Sequence, residues 1–204
     1  METKVKTRTN RTSVLRKVTV TAIMSAFSLV LMMIEFPIPI MPSFIKFDIS
    51  ELPALITSFA FGPLWGVIVC FLKNLIHLIN THTAGVGELS NFLLGAVFVA
   101  VAGAFYKFRH NRKSAFLGSL AGDFVMSVSA FVINLLVVYP IYMKILIPEQ
   151  VILGMYQDIL PSVDSLWKAI LIFNVPFTFV KGMADVVITF IIYHKISPIL
   201  KGKI

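Results

Sequence analysis

The apolar run from Val18 to Ile34 follows a basic tail, and further long apolar stretches succeed it almost to the C-terminus. A water-soluble chain of this length has too little interior to hide them, so they must face lipid. Composition agrees: 57% of the 204 residues are hydrophobic and 14% charged, with a mean hydropathy of +0.88. Soluble domains average about 45–50% apolar and about 25% charged. The first run lacks a small-x-small cleavage site and reads as a retained helix.

A helix needs about 20 residues to cross roughly 30 Å of hydrocarbon. Helices are expected near 14–35, 51–61, 63–80, 88–107, 115–141 and 166–194, in a single transmembrane domain covering 1–204 with a basic cytoplasmic tail at 1–13. Gly62-Pro63 is a strong breaker and separates a short helix from a full one. At roughly 16 Å the short helix cannot cross alone, so the apolar loop before it must complete that pass. The expected fold is an all-α integral membrane bundle of six helices.

Orientation follows from the basic residues. Lys4, Lys6, Arg8, Arg11, Arg16 and Lys17 precede the first helix; Lys107, Arg109, Arg112 and Lys113 follow the fourth; Lys195, Lys201 and Lys203 end the chain. Six crossings put all three clusters on one side, expected to be the cytoplasmic face of a multi-pass cell-membrane protein. The opposite connections hold Asp48, Glu51, Glu149, Asp158 and Asp164. The net charge of +8 therefore marks topology rather than nucleic-acid binding. The lone Cys70 permits no intrachain disulfide.

Polar residues inside apolar runs are costly and usually face a cavity or a partner. In the sixth helix Asn174, Thr178, Lys181 and Asp185 fall at i, i+4, i+7 and i+11 on one face, and in the fifth Asp123, Ser127, Ala130 and Asn134 repeat those offsets. The third helix offers Lys73, Asn74, His77 and Asn80, and the fourth places Glu88, Asn91 and Gly95 together. At about 1.5 Å per residue, Asn134 and Asn174 lie toward the outer surface, Lys181 near mid-membrane, and Asp123 and Asp185 toward the inside. Plain interhelical glue is the alternative, with Lys181 and Asp185 neutralising each other one turn apart. His77 and His82 lack the i, i+4 spacing of a helical zinc site.

The first outer loop runs from Phe36 through Pro37, Pro39, Pro42, Phe44, Ile45 and Phe47 to Asp48. Its prolines forbid a regular helix, and its apolar character forbids a solvated loop. Irregular backbone at this depth must be buried in protein or line a cavity, so an apolar flap over the bundle is expected. Asp48 and Glu51 have capping-box spacing, although Pro53 suits a first turn capped by Ser50. In the first helix Ala22 and Ala26 stand four apart, with Ser25 expected to widen the notch, a spacing that allows close helix docking. No P-loop, H-E-x-x-H or G-x-S-x-G motif is present. The chain is not expected to be an enzyme or to carry a cofactor.

These segments together resemble the substrate-binding S components of energy-coupling factor (ECF) vitamin transporters, most of all the riboflavin-specific type. The resemblance is carried by Ala22-x-x-x-Ala26, Phe47 to Leu55, Phe61-Gly62-Pro63-Leu64-Trp65-Gly66, Gly87 to Phe92 and Pro176 to Gly182. It covers essentially the whole chain. It implies a binder that captures a vitamin from outside and is driven by a transmembrane coupling subunit and two cytosolic ATPases. It also implies that Ala22 and Ala26 face the coupling subunit, that the first loop closes over the ligand, and that Asn134 and Lys181 contact it. The family commonly has Asn where this chain has Thr178, and a hydroxyl replaces one amide contact but not its paired donor and acceptor. A flavin would suit an apolar slot walled by Phe44, Ile45 and Phe47, with Asn, Thr and Lys partners, and Lys181 would also tolerate the phosphate of flavin mononucleotide. Two other readings stay open on the residues alone: an S component for another vitamin or precursor, and a proton-coupled carrier using Asp123 and Asp185.

Overall fold

In the computed structural model the backbone is described for residues 2–201 and the side chains for residues 13–192. The helices are α1 (Glu2–Met33), α2 (Glu51–Phe61), α3 (Pro63–His77), α4 (Val86–Phe108), α5 (Arg112–Ile133), α6 (Tyr139–Ile145), α7 (Glu149–Gln157), α8 (Leu166–Ala169) and α9 (Val175–Lys201). A pair of two-residue strands, β1 (Phe36–Pro37) and β2 (Lys46–Phe47), lies in the first loop. Among the described residues, five stretches are long and apolar enough to cross a membrane: Ser13–Met33, Pro63–Asn80, Val86–Phe108, Arg112–Ile145 and Leu166–Ile192. With the short α2, they form the six-helix membrane bundle.

Several features differ from the sequence reading, among them the last helix, which runs on to Lys201 past the expected 194. Helix α1 begins at Glu2 and ends at Met33, so the expected tail at 1–13 is continuous with the first helix. The fifth run continues past 141 to Ile145. The connection between the fifth and sixth expected helices contains a further short helix, α7. Lys4, Lys6, Arg8 and Arg11, and Lys195, Lys201 and Lys203, lie outside the residues whose side chains are described.

Helix α2 is the hub. Nine of its eleven residues, Glu51 to Phe59, are buried, as expected of a helix apolar nearly all round. It packs on α1, α3, α4 and α9. Close approach rests on small residues. A Cβ on Gly66 would meet Ser58 Cβ at 2.6 Å and the Ala54 carbonyl at 2.8 Å. One on Gly103 would come within 2.0 Å of Ser58 Oγ, which donates to the Val99 carbonyl at 2.7 Å. The α2–α3 turn is made at Gly62, whose φ of +103° disfavours any side chain, and Pro63 opens α3 where its missing N–H costs nothing.

The two long helices that end the chain carry wide, π-type turns, at Asn134–Val138 and at Ile170–Asn174. Each is followed two residues later by a proline, Pro140 and Pro176. A proline inside a helix clashes with the carbonyl four residues back. In both cases that carbonyl, on Leu136 or Ile172, falls within the wide turn, where the added residue relieves the clash without breaking the rod. Each wide turn begins or ends on an asparagine.

Gly103→Val should be destabilising by about 1–3 kcal/mol through overpacking, read as a lower melting temperature of the detergent-solubilised protein; an unchanged melting temperature would show that α2 and α4 can part at this point.

Candidate functional site

The loop between α1 and α2 folds back as a hairpin. β1 and β2 pair antiparallel, Phe36 with Phe47 and Pro37 with Lys46, and Lys46 closes the base on Glu35. Turns at Met41 and Ile45, each with a 2.9 Å backbone hydrogen bond, bring Phe44 down onto Tyr142 and Tyr139, with ring centroids 5.2 and 6.4 Å apart. Beneath this lid lies a cavity of about 280 Å³. It opens among the loops at the end of the bundle where α3 finishes and α4 starts.

Nine of the ten ligand-site residues read from the sequence line this cavity: Phe44, Ile45, Asp48, Glu88, Asn91, Asn134, Asn174, Thr178 and Lys181. Phe47 does not. It stacks instead between Phe36 and Phe177, at 5.5 and 6.2 Å, and Phe177 takes the wall position. A strand alternates its side chains, so a register that pairs Phe47 with Phe36 turns it away from the ligand side.

The wall is held by buried charge. Lys73, on α3, is fully buried and pairs with Glu51 of α2 at 2.6 Å; it also donates to Ser50 Oγ. Lys181 reaches Asp48 at 2.7 Å and lies 3.7 Å from Glu51. Asp48 Oδ1 accepts from the Ser50 backbone N–H at 2.9 Å, and Ser28 of α1 donates to the Ser50 carbonyl. Burial alone would raise the Asp48 carboxyl, but Lys181 and Lys73 outweigh it and hold it at about 2. Its folded value is depressed, so the stabilisation is complete above the ordinary carboxylate range and is lost as pH falls toward 2.

Two local expectations change here. Ser50 stands at the N-cap of α2 but makes no side-chain cap, because its hydroxyl belongs to the ionic cluster. Lys181 pairs with Asp48 of the lid and not with Asp185. Asp185 lines the cavity, is buried, and neither of its oxygens has a hydrogen-bond partner. Asp123 is likewise buried and unpartnered, but sits behind the wall against Gly182, where a Cβ would come within 1.9 Å of Oδ1.

Asn174 is less free than its place in a polar stripe suggests. Its Nδ2 donates to Tyr139 Oη at 2.9 Å and its Oδ1 accepts from Tyr156 at 2.6 Å. The two tyrosine hydroxyls also bond each other. This triangle ties α7 to both wide turns. Burial, reinforced by Tyr139, pushes the Tyr156 hydroxyl well above its ordinary range, so it remains a neutral donor. Asn134, by contrast, accepts only a long 3.5 Å bond from Ser90, which a ligand can outcompete. At the mouth Glu88 Oε1 lies 2.9 Å from His77 Nδ1, and its other oxygen accepts from Thr81 and Thr83 at 2.9 and 3.2 Å. His77 therefore orients an acid of the site.

Tyr139, Tyr142, Tyr156 and Phe177 were missed by the sequence reading. A tyrosine just before a helix-breaking proline, as at Tyr139-Pro140, was the one available signal. Tyr156 gave none. On α1, Ala22 and Ala26 are exposed, but Ser25 turns inward, donating to the Thr21 carbonyl at 2.8 Å, and so does not widen the notch between them.

A lipid-embedded helical bundle enclosing a lidded cavity of this kind is a membrane solute-binding protein. The family described as "ECF transporter, substrate-specific component" matches residues 16–193, and the chain belongs to that family. It is 31% identical over 180 residues to the riboflavin transporter RibU of Staphylococcus aureus, covering 88% of this chain and 89% of that one. To the riboflavin transporter FmnP of Bacillus subtilis it is 28% identical, over 90% of this chain and 93% of the relative. Among solved structures it resembles a chain from "Structure and mechanism of the S component of a bacterial ECF transporter", with a TM-score of 0.71 and 30% identity. That match covers 91% of this chain and 97% of the other.

Lys73→Met should destabilise the protein by about 3–5 kcal/mol by leaving Glu51 buried without its partner, whereas Lys73→Met with Glu51→Gln should recover most of the loss. Thermal unfolding of both variants in detergent checks this; equal losses would mean that Glu51 does not depend on Lys73.

Proposed function

We propose that this chain is the riboflavin-capturing S component of an ECF importer, taking the vitamin into the cavity beneath the first loop. The observation that carries the reading is the lid itself. An apolar hairpin lies over a pocket whose walls combine Phe44, Tyr139, Tyr142 and Phe177 with Asn134, Thr178 and Lys181. A flat tricyclic ring with carbonyls and ring nitrogens, bearing a polyhydroxylated chain, needs that mixture of aromatic wall and placed polar groups. Relatives named as riboflavin transporters, matching along most of their length, support the same ligand.

In this reading the loop end faces the outside and both termini face the cytoplasm. Lys181, held charged between Asp48 and Glu51, donates to an acceptor on the ring, and Asn134 exchanges its weak bond to Ser90 for one to the ligand. The chain catalyses nothing. A transmembrane coupling subunit and two cytosolic ATPases drive its transport step, and α1 meets the coupling subunit through exposed Ala22 and Ala26.

Riboflavin fluorescence should be quenched on titration with purified, ligand-free protein at micromolar or lower concentration. Lys181→Ala should weaken binding by about tenfold or more, the value of a charge-assisted hydrogen bond. Absence of quenching with folded wild-type protein would remove riboflavin as the ligand.

Leucine at Ala22 or Ala26 should abolish riboflavin uptake by cells containing the whole transporter while leaving binding by the isolated chain intact. Loss of both activities would count against a docking role for this face.

A further inference from the structure

The turn between α4 and α5 lies at the membrane face opposite the mouth of the cavity, since α4 starts at the mouth and ends at the turn. From Leu89 to Gly122 the chain has no acidic residue. Within that stretch residues 107–113 are all exposed. Lys107, Arg109, Arg112 and Lys113 are cationic, and none of them forms a salt bridge among the described residues. The turn that presents them is fixed. Asn111 caps α5 by accepting from the Ser114 N–H at 2.7 Å, and Ser114 Oγ donates to the Phe105 carbonyl at 3.0 Å. His110 lies edge-on to Tyr106, with ring centroids 5.2 Å apart. A Cβ on Gly118 would come within 2.7 Å of Phe105 Cβ, so α4 and α5 are in close contact just inside the turn.

The apolar surroundings decide what these charges meet. Phe108, the last residue of α4, is 87% exposed, and Phe116 and Leu117 of α5 are exposed as well. Residues four apart on a helix are neighbours. Phe116 therefore stands one turn inside Arg112, and Leu117 one turn inside Lys113, both within a stretch long and apolar enough to cross the bilayer.

We propose that the α4–α5 turn is a binding site for an anionic phospholipid. Arg109, Arg112 and Lys113 hold its headgroup phosphate, and its acyl chains lie on Phe108, Phe116 and Leu117. Arginine offers a phosphate paired N–H donors in a fixed fork, and basic residues beside a membrane span are attracted to anionic lipid surfaces. A free phosphate or an acidic protein surface would answer the charges alone. Neither reaches apolar side chains one turn deeper in hydrocarbon, whereas a phospholipid presents its phosphate and its chains at those two levels. The cations that orient the chain thus also choose its lipid neighbour, at a site that takes no part in the cavity.

The test is native mass spectrometry of the full-length protein in detergent, titrated with phosphatidylglycerol or with phosphatidylcholine of the same acyl chains. The first phosphatidylglycerol should bind at least about fivefold more tightly, the effect of a single basic residue near an anionic surface. Replacing Arg109, Arg112 and Lys113 together by glutamine should abolish that preference. Phe108→Ser should weaken both lipids by about threefold or more and leave the preference intact, because it removes apolar contact and no charge. Equal affinity for the two lipids would overturn the proposal, and so would a preference that survives the triple substitution. Displacement of the bound lipid by millimolar inorganic phosphate would also overturn it, making the turn a site for the free anion. The melting temperature in lipid-free detergent shows whether the triple variant folds; if it does not, Arg109→Gln and Arg112→Gln singly should each lower the preference by about threefold, and a ratio unmoved in both would overturn the proposal.

Discussion

Lys73 is fully buried in the membrane bundle, and a charge in that position has to be answered by everything around it. Glu51 answers it from the first turn of α2, the Ser50 hydroxyl accepts a further hydrogen bond, and Asp48 completes the chain of contacts to Lys181 on α9. Around this cluster the architecture follows. It brings α1, α2, α3 and α9 to one point through Ser28, Glu51, Lys73 and Lys181. It also sets the lid, because Asp48 directly follows the hairpin strand β2. A hydrophobic cluster of similar volume would stabilise the bundle as well or better. What the charges add is direction: Lys181 is held at one place on the cavity wall.

The opposite wall is organised differently. There the two long helices carry wide turns, each two residues before a proline, and each turn includes the asparagine that reaches the cavity. Asn174 is then locked by two tyrosines, while Asn134 keeps a weak contact. The first supports the site's shape and the second is available to a ligand. The same residue type in the same local geometry thus serves two ends, because Tyr156 of α7 bonds Asn174 and not Asn134.

Much of this was legible in the sequence because the membrane enforces simple rules. Apolar runs give helices, three prolines in an apolar loop give a lid, and Gly62-Pro63 gives a turn. The face containing Asn174, Thr178, Lys181 and Asp185 follows from helical periodicity, and the wide turn at 170–174 does not disturb it because it ends where that face begins. The pairing of charges was not legible. Local spacing pointed Lys181 at Asp185 and made Ser50 a helix cap, yet both are claimed by partners remote in sequence. Tyr156 lies in a nine-residue helix within an otherwise irregular connection, and no pattern rule connects it to Asn174. Phe47 was misplaced because the side it faces depends on hairpin register, which apolar content alone does not specify.

The Asp48–Lys181 contact joins residues 133 positions apart, which has a consequence for how the protein is made. Lys73 and Glu51 can meet as soon as α2 and α3 are in the bilayer, but the lid lacks its ion pair to Lys181 until α9 is inserted beside them. During synthesis the hairpin is therefore an apolar flap without its ionic tether, and the pocket beneath it is incomplete. The pocket is complete only once α9 has entered the membrane, so the same ion pair that positions Lys181 also tells a finished pocket from an unfinished one.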